Sequence, residues 1–243
     1  MKSLLILTGH SKGLGRALLD TYLEKNEFEI IAISRTKLNL TKPNLTEISL
    51  DFGELEVLGN ELPSLFPKGE YKEIILINNA GWIGEMKSVG NLHVKNMRTQ
   101  VNINLLAPMY LMNAFVETYA DSDARKLICN ISSGASFKPI EGWGGYCSTK
   151  AALAMFTQVA AKEKADSMFR FFSVAPGIVD TEMQGEIRKA EAVDFPLIDR
   201  FKGYKENGEL SSPKVVAAKI KYMLENESEF QDVIQDVRDF DLT

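Results

Sequence analysis

Short apolar runs alternate along the chain with longer stretches in which apolar residues recur every three or four positions. Leu4–Leu7, Ile30–Ile33, Leu45–Leu50, Ile74–Ile77, Leu127–Ile131 and Phe171–Val174 read as strands, with Val233-Ile234 as a candidate last one. Between them, Leu14, Ala17, Leu18, Thr21 and Tyr22 fall at helical spacing, and Leu55, Leu58 and Leu62 predict a helix that stops near Pro63. Leu92 to Tyr119 is mostly helical in pattern and Tyr146 to Lys164 strongly so. Ser212 as cap and Pro213 at the first helical position open a helix over Lys214–Glu225.

The strand runs are apolar throughout rather than alternating, as expected of strands covered on both faces in a parallel sheet. The alternation of strand and helix predicts one α/β domain over residues 1–243. Its doubly wound, mostly parallel sheet would have about seven strands, helices on both faces and right-handed crossovers. Ligands in such sheets bind beyond the carboxyl ends of the strands. Four strands run there into Gly9, Asn78-Asn79, Ser132-Ser133-Gly134 and Pro176-Gly177. Glu182–Leu210 breaks the rhythm, being charged with scattered large apolar residues. It is either an ordinary helical excursion or a lid, and we expect a substrate-binding lid over residues 182–212.

Composition narrows the class. At 243 residues the chain can bury one large core, and 45% hydrophobic with 25% charged residues is ordinary for a globular protein. A net charge of −5, spread along the chain, predicts no nucleic-acid partner. Cys129 and Cys147 make no disulfide framework and fit a reducing compartment. The apolar stretch at the N-terminus is too short for a signal core or a membrane span, so a cytoplasmic protein without a membrane partner is expected. No residues read as metal ligands.

Thr8-Gly9-His10-Ser11-Lys12-Gly13-Leu14-Gly15 lies between a predicted strand and helix. Glycines allow a sharp turn and close approach of a diphosphate, and the helix start offers free N–H groups to it. At the end of the second strand, where NAD sites place a carboxylate, the sequence reads Ser34-Arg35-Thr36. A guanidinium can pair with a 2′-phosphate, and Lys12 adds a second charge, so NADPH is the expected cofactor. Asp51 is read as an adenine contact or a helix cap, and Asn79, Ala80 and Gly81 as tight backbone near the adenosine ribose.

Tyr146 and Lys150 stand one helical turn apart on one face. A free tyrosine has a pKa of about 10, and a neighbouring ammonium is expected to lower it. Ser133, at the end of the fifth strand, can hydrogen-bond a carbonyl oxygen. Asn104, an amide inside a helical segment, needs a partner, for which a water linked to Lys150 is one candidate; Asn102 is the alternative residue.

With these residues in view the chain resembles the short-chain dehydrogenase/reductase family. The matching pieces are Thr8-Gly9-x-x-x-Gly13-x-Gly15, Asn78-Asn79-Ala80-Gly81, Asn104, Ser133, Tyr146-x-x-x-Lys150 and Pro176-Gly177 followed by Thr181, in family order over residues 4 to 181. The resemblance implies a Rossmann fold with Tyr146 as general acid, Lys150 on the nicotinamide ribose, Ser133 orienting the carbonyl and Asn104 in a proton relay. It further implies that Gly9, Ser11, Lys12, Gly13, Leu14, Gly15, Arg35, Asp51, Asn79, Ala80, Gly81, Tyr146 and Lys150 line the cofactor. Pro176, Gly177, Ile178, Val179 and Thr181 would embrace its nicotinamide end. Helix pairing across dimer interfaces, common in the family, allows a homo-oligomer.

Within the family the chain is similar to benzil reductases and, through them, to sepiapterin reductases. The first similarity implies reduction of one carbonyl of an aromatic 1,2-diketone, benzil to (S)-benzoin, with Ser133, Trp143, Tyr146 and Met183 at the substrate. Trp82, Ile140 and Phe201 are further candidates for an apolar wall, each with ordinary packing as the alternative. The second implies a pterin held by a carboxylate near the C-terminus, for which Asp236, Asp239 and Asp241 are available. A third alternative is a non-catalytic NADPH sensor or scaffold.

Overall fold

The computed structural model describes residues 1–24, 26–165 and 167–240. Seven strands, β1 Lys2–Thr8, β2 Phe28–Ser34, β3 Leu45–Ser49, β4 Tyr71–Asn78, β5 Arg125–Ile131, β6 Phe169–Ala175 and β7 Ile234–Asp236, form one sheet. Their spatial order is β3-β2-β1-β4-β5-β6-β7 and every pairing is parallel. The chain reverses its direction of travel across the sheet between β1 and β4. The loops after these two strands therefore open a crevice at the carboxyl edge, where such sheets bind ligands.

Helices α1 Gly13–Leu23 and α8 Pro213–Glu225 cover one face of the sheet. The other carries α2 Leu55–Leu65, α4 Ala107–Thr118 and α5 Gly144–Glu163. Side chains along a strand alternate between the faces. Leu5 and Leu7 of β1 accordingly join α1 and α8, and Leu4 and Ile6 join α2, α4 and α5. Both sets are apolar because both faces are covered, and this produces the unbroken apolar runs. Edge strand β3 departs from the pattern, with no fully buried position.

Two segments differ from expectation. Helix α2 continues through Pro63 to Leu65. Proline removes one backbone donor, but Leu65 and Phe66 are buried in the core and anchor the last turn. The long helical segment is divided into α3 Val94–Val101, a π-helical turn Asn102–Leu106, and α4. Residues 182–212 contain α6 Glu182–Ile187 and α7 Ile198–Glu206. The excursion leaves and returns at one point, where Asp180 N–H donates to Ser211 O at 2.9 Å and Ser211 N–H to Ile178 O at 2.9 Å.

Phe115 of α4 is fully buried and meets Tyr119, Phe66 and Phe169 edge-on, with centroids 5.1, 6.1 and 6.2 Å away. Phe115→Ala should destabilise the protein by about 3–5 kcal/mol, read as a lower denaturant midpoint at unchanged slope.

Candidate active site

At the carboxyl edge, the loops after β1 and β4 are stitched together. Thr8 Oγ1 accepts hydrogen bonds from Asn79 N–H and Ala80 N–H, both at 3.0 Å. Asn79 Nδ2 donates to the carbonyls of Thr8 and Gly9 at 3.1 Å. A methyl group at Gly15 would overlap the Gly9 carbonyl and the Asn79 amide, so the start of α1 lies directly on the turn. Lys12 caps α1 without a side-chain hydrogen bond. The first amides of the helix thus face the crevice without a side-chain partner, a cradle that fits a dinucleotide diphosphate. Leu14 turns into the core, leaving only its backbone to the crevice.

The other proposed cofactor residues surround this cradle. The Thr181 methyl lies 3.2 Å from a Cβ built on Gly13, which sets the Pro176–Thr181 segment across the cradle from α1. Arg35 is exposed just beyond β2, its carbonyl accepting from Ser49 Oγ at 2.9 Å. Lys12 pairs with Glu182 at 2.5 Å, so its charge is shared with α6. Asp51 accepts from Gly53 N–H at 2.8 Å and shapes the turn before α2, while Glu54 occupies the cap position itself.

The four proposed catalytic residues converge. Tyr146 and Lys150 are buried on the first turns of α5, and Lys150 Nζ donates to the Ile131 carbonyl at the end of β5 at 2.7 Å. Its Nζ lies 5.8 Å from the Tyr146 ring centroid. Ser133 follows β5, its hydroxyl accepting from Ala135 N–H at 3.1 Å. Asn104 sits in the π-helical turn, a feature often found at functional sites. Its Oδ1 accepts from Trp82 N–H and its Nδ2 donates to Trp82 O, both at 2.8 Å, with Thr149 Oγ1 a further acceptor at 3.3 Å. Its protein partners are therefore Trp82 and Thr149. It still borders Lys150: a Cβ built on Gly81 stands 3.6 Å from Asn104 Oδ1 and 3.7 Å from Lys150 Nζ. Asn102 instead holds the Gly53 carbonyl at 2.9 Å.

Electrostatics in this pocket run opposite to the sequence expectation. Burial pushes the Tyr146 phenol up to about 12, only partly offset by the facing Ser133 hydroxyl, while Cys147 adds to the rise. Burial also lowers Lys150 to about 8. Desolvation opposes the charged form of both groups and outweighs the expected effect of the ammonium on the phenol. Tyr146 is accordingly protonated at neutral pH and able to donate.

The excursion covers Tyr146 with an apolar cluster. Trp143 stacks on Phe195 at 5.2 Å and meets Tyr146 edge-on at 5.6 Å, with Phe201 against its flank at 5.3 Å. Trp143 is buried, while Met183, Trp82 and Ile140 pack around the cluster partly exposed.

Sequence reasoning missed several supports. Gln100 Nε2 donates to Ile83 O at 2.5 Å, and a methyl on Gly145 would overlap its Oε1, so this amide seats the start of α5 against the β4 loop. Asn130 accepts from Asn78 and donates to Thr157, both at 2.8 Å, binding β4, β5 and α5. Glu47 receives His10 at 2.7 Å. A polar residue inside an apolar strand, such as Asn130, was a readable signal; the partners were not.

The short chain dehydrogenase family model matches residues 3–192. The chain belongs to this family. A benzil reductase ((S)-benzoin forming) of Bacillus subtilis is 37% identical over 98% of this chain and 99% of its own length. Its counterpart from Bacillus cereus is 40% identical over 91% of this chain and 94% of its own. The crystal structure of the KRED1-Pglu enzyme superposes with a TM-score of 0.80 at 28% identity, covering 93% of this chain and 95% of that one. The short-chain dehydrogenase described here is thus an oxidoreductase of the ketone/alcohol class that uses a nicotinamide cofactor. Among the described residues no helix is long and apolar enough to cross a membrane.

If the Lys150 charge supports reduction, the rate should fall as pH rises through about 8, where its ammonium loses its proton. Tyr146, at about 12, contributes no limb in that range. In Lys150→Arg the limb should move to higher pH, since a guanidinium stays charged to above about pH 12; pH–rate profiles of kcat check this.

Proposed function

We propose that this short-chain dehydrogenase is an NADPH-dependent carbonyl reductase in which Tyr146 donates the proton. The observation that carries the reading is a buried phenol beside Ser133 and the Lys150 ammonium, with Lys150 reaching Gly81 in the loop that is stitched to the glycine-rich turn. The bound cofactor supplies hydride to the carbonyl carbon. Ser133 holds the carbonyl oxygen by hydrogen bond as negative charge builds on it. Tyr146 delivers its proton to that oxygen. Lys150, anchored on Ile131 O, stabilises the phenolate left behind and would hold the ribose of a bound nicotinamide cofactor. Asn104 and Lys150 flank the space at Gly81, where a water would complete a proton relay to solvent.

The substrate we propose is an aromatic 1,2-diketone, reduced at one carbonyl. The two Bacillus relatives bear the name of that reaction, and partly exposed Met183, Trp82 and Ile140 offer apolar wall around Tyr146. Residues 182–212 would act as its lid, since the excursion packs onto Tyr146 while both its ends are pinned at Ser211. A pterin substrate would have to rely on Asp239, which is exposed. The Asp236 carboxylate is occupied by Arg238 Nε at 2.9 Å and its backbone N–H at 3.0 Å, and Asp241 lies outside the described residues. Cofactor choice rests on Arg35, a cation where a carboxylate would select against a 2′-phosphate.

Tyr146→Phe keeps the ring and removes the proton, so kcat for benzil should drop by roughly 10²–10⁴-fold. Unchanged turnover would rule out Tyr146 as donor, and absence of carbonyl turnover in the wild type would favour the sensor reading. Faster consumption of sepiapterin than of benzil would reverse the substrate assignment. Arg35→Asp should weaken NADPH by roughly 10–100-fold, the worth of a charged hydrogen bond, and NADH far less. Equal loss for both would remove the 2′-phosphate assignment.

A further inference from the structure

His10 occupies the glycine-rich turn yet points away from solvent: it is fully buried. Its Nε2 lies 2.7 Å from Glu47 Oε1 on edge strand β3. Its other nitrogen, Nδ1, is buried with no hydrogen-bond partner among the described residues, so the Glu47 contact is what fixes the ring.

Glu47 is itself unusual, a carboxylate only 6% exposed on an otherwise half-open strand. Besides His10 it takes two backbone donors, Leu38 N–H on Oε1 at 2.7 Å and Leu40 N–H on Oε2 at 2.9 Å. The residue between these donors, Asn39, has φ 55°, and no other non-glycine among the described residues has positive φ. Left-handed backbone of this kind persists where surrounding contacts enforce it. Here the carboxylate clamps the amides on either side, while Leu38 and Leu40 pack against the core. Burial by itself would raise the Glu47 carboxyl, but the hydrogen bonds from Leu38, His10 and Leu40 outweigh it and keep the group ionised. An ionised carboxylate accepts, so His10 Nε2 carries the donated hydrogen.

The clamped turn follows Arg35 directly, and Arg35, Thr36 and Lys37 are exposed on its outer side. One carboxylate thereby joins the turn that takes the diphosphate to the turn that carries the cations. We propose that His10 and Glu47 are positioning residues for cofactor selectivity: they hold the Arg35–Leu40 turn in register with the glycine-rich loop, so that the cations meet a 2′-phosphate whose diphosphate is already seated. This rests on the reading of Arg35 as a 2′-phosphate ligand.

Isothermal titration of the full chain with NADPH and with NADH tests it, using wild type, Glu47→Ala, His10→Ala and His10→Gln, with Tm recorded for each. Glu47→Ala should weaken NADPH by roughly tenfold or more while NADH changes far less, because only the 2′-phosphate contacts depend on the turn. His10→Ala should shift the ratio in the same direction. His10→Gln, whose amide can still donate to Glu47, should restore most of it. Variants that bind both cofactors with the wild-type ratio, or that lose both in proportion, overturn the proposal. Should Glu47→Ala not fold, the two His10 variants decide: equal selectivity in both is the overturning result. A wild type without preference for NADPH instead removes the Arg35 reading beneath it.

Discussion

The hydrogen bond from the Lys150 ammonium to the Ile131 carbonyl is the contact around which the site is organised. A buried charge needs a partner, and this one finds it at the carboxyl end of the interior strand β5. The bond fixes the first turns of α5 over the sheet edge, and with them Tyr146, one turn away. Ser133 follows Ile131 by two residues and so arrives opposite the phenol. The cost of burial appears in the two titrating groups, which both move toward their neutral forms.

Supports for this contact come from three directions. Asn130 and Thr157 tie the same helix to β4 and β5 farther along. Gln100 seats its start against the loop after β4. Asn104, held by both backbone atoms of Trp82, carries the π-helical turn up to the pocket beside Gly81. Each relies on a buried amide whose hydrogen bonds go to backbone, another amide or a threonine hydroxyl, so the site stands on polar contacts that would be costly to leave unmade.

On the cofactor side, the glycine-rich turn is shaped from below by Asn79 and Thr8 and from the side by His10 and Glu47. The excursion of residues 182–212 completes the enclosure through the stack of Trp143 on Phe195. Trp143, expected at the substrate, is mostly occupied by that stack, whereas Met183 remains partly exposed.

How much was legible follows from the range over which each feature is encoded. Unbroken apolar runs, glycine spacing and the Tyr146–Lys150 interval are local, and they sufficed for the parallel sheet, the crevice and the placing of Tyr146 and Lys150 on one helix face, because periods of two and 3.6 fix which side chains share a face. The half-open strand β3, the passage of α2 through Pro63 and the π-helical turn depended on what packs against them. So did the acidities of Tyr146 and Lys150: the four-residue interval is visible in the chain, but the burial that governs both groups is a property of the assembled pocket. Glu47 and Gln100 gave no local signal, and His10 stood out only as an unusual residue in the glycine-rich turn, since their partners meet only once the sheet has formed. The sequence by itself determined the fold and which residues meet at the carboxyl edge as candidates for the chemistry; their environment, and hence their protonation, belonged to the tertiary structure alone, because desolvation is summed over neighbours from the whole chain.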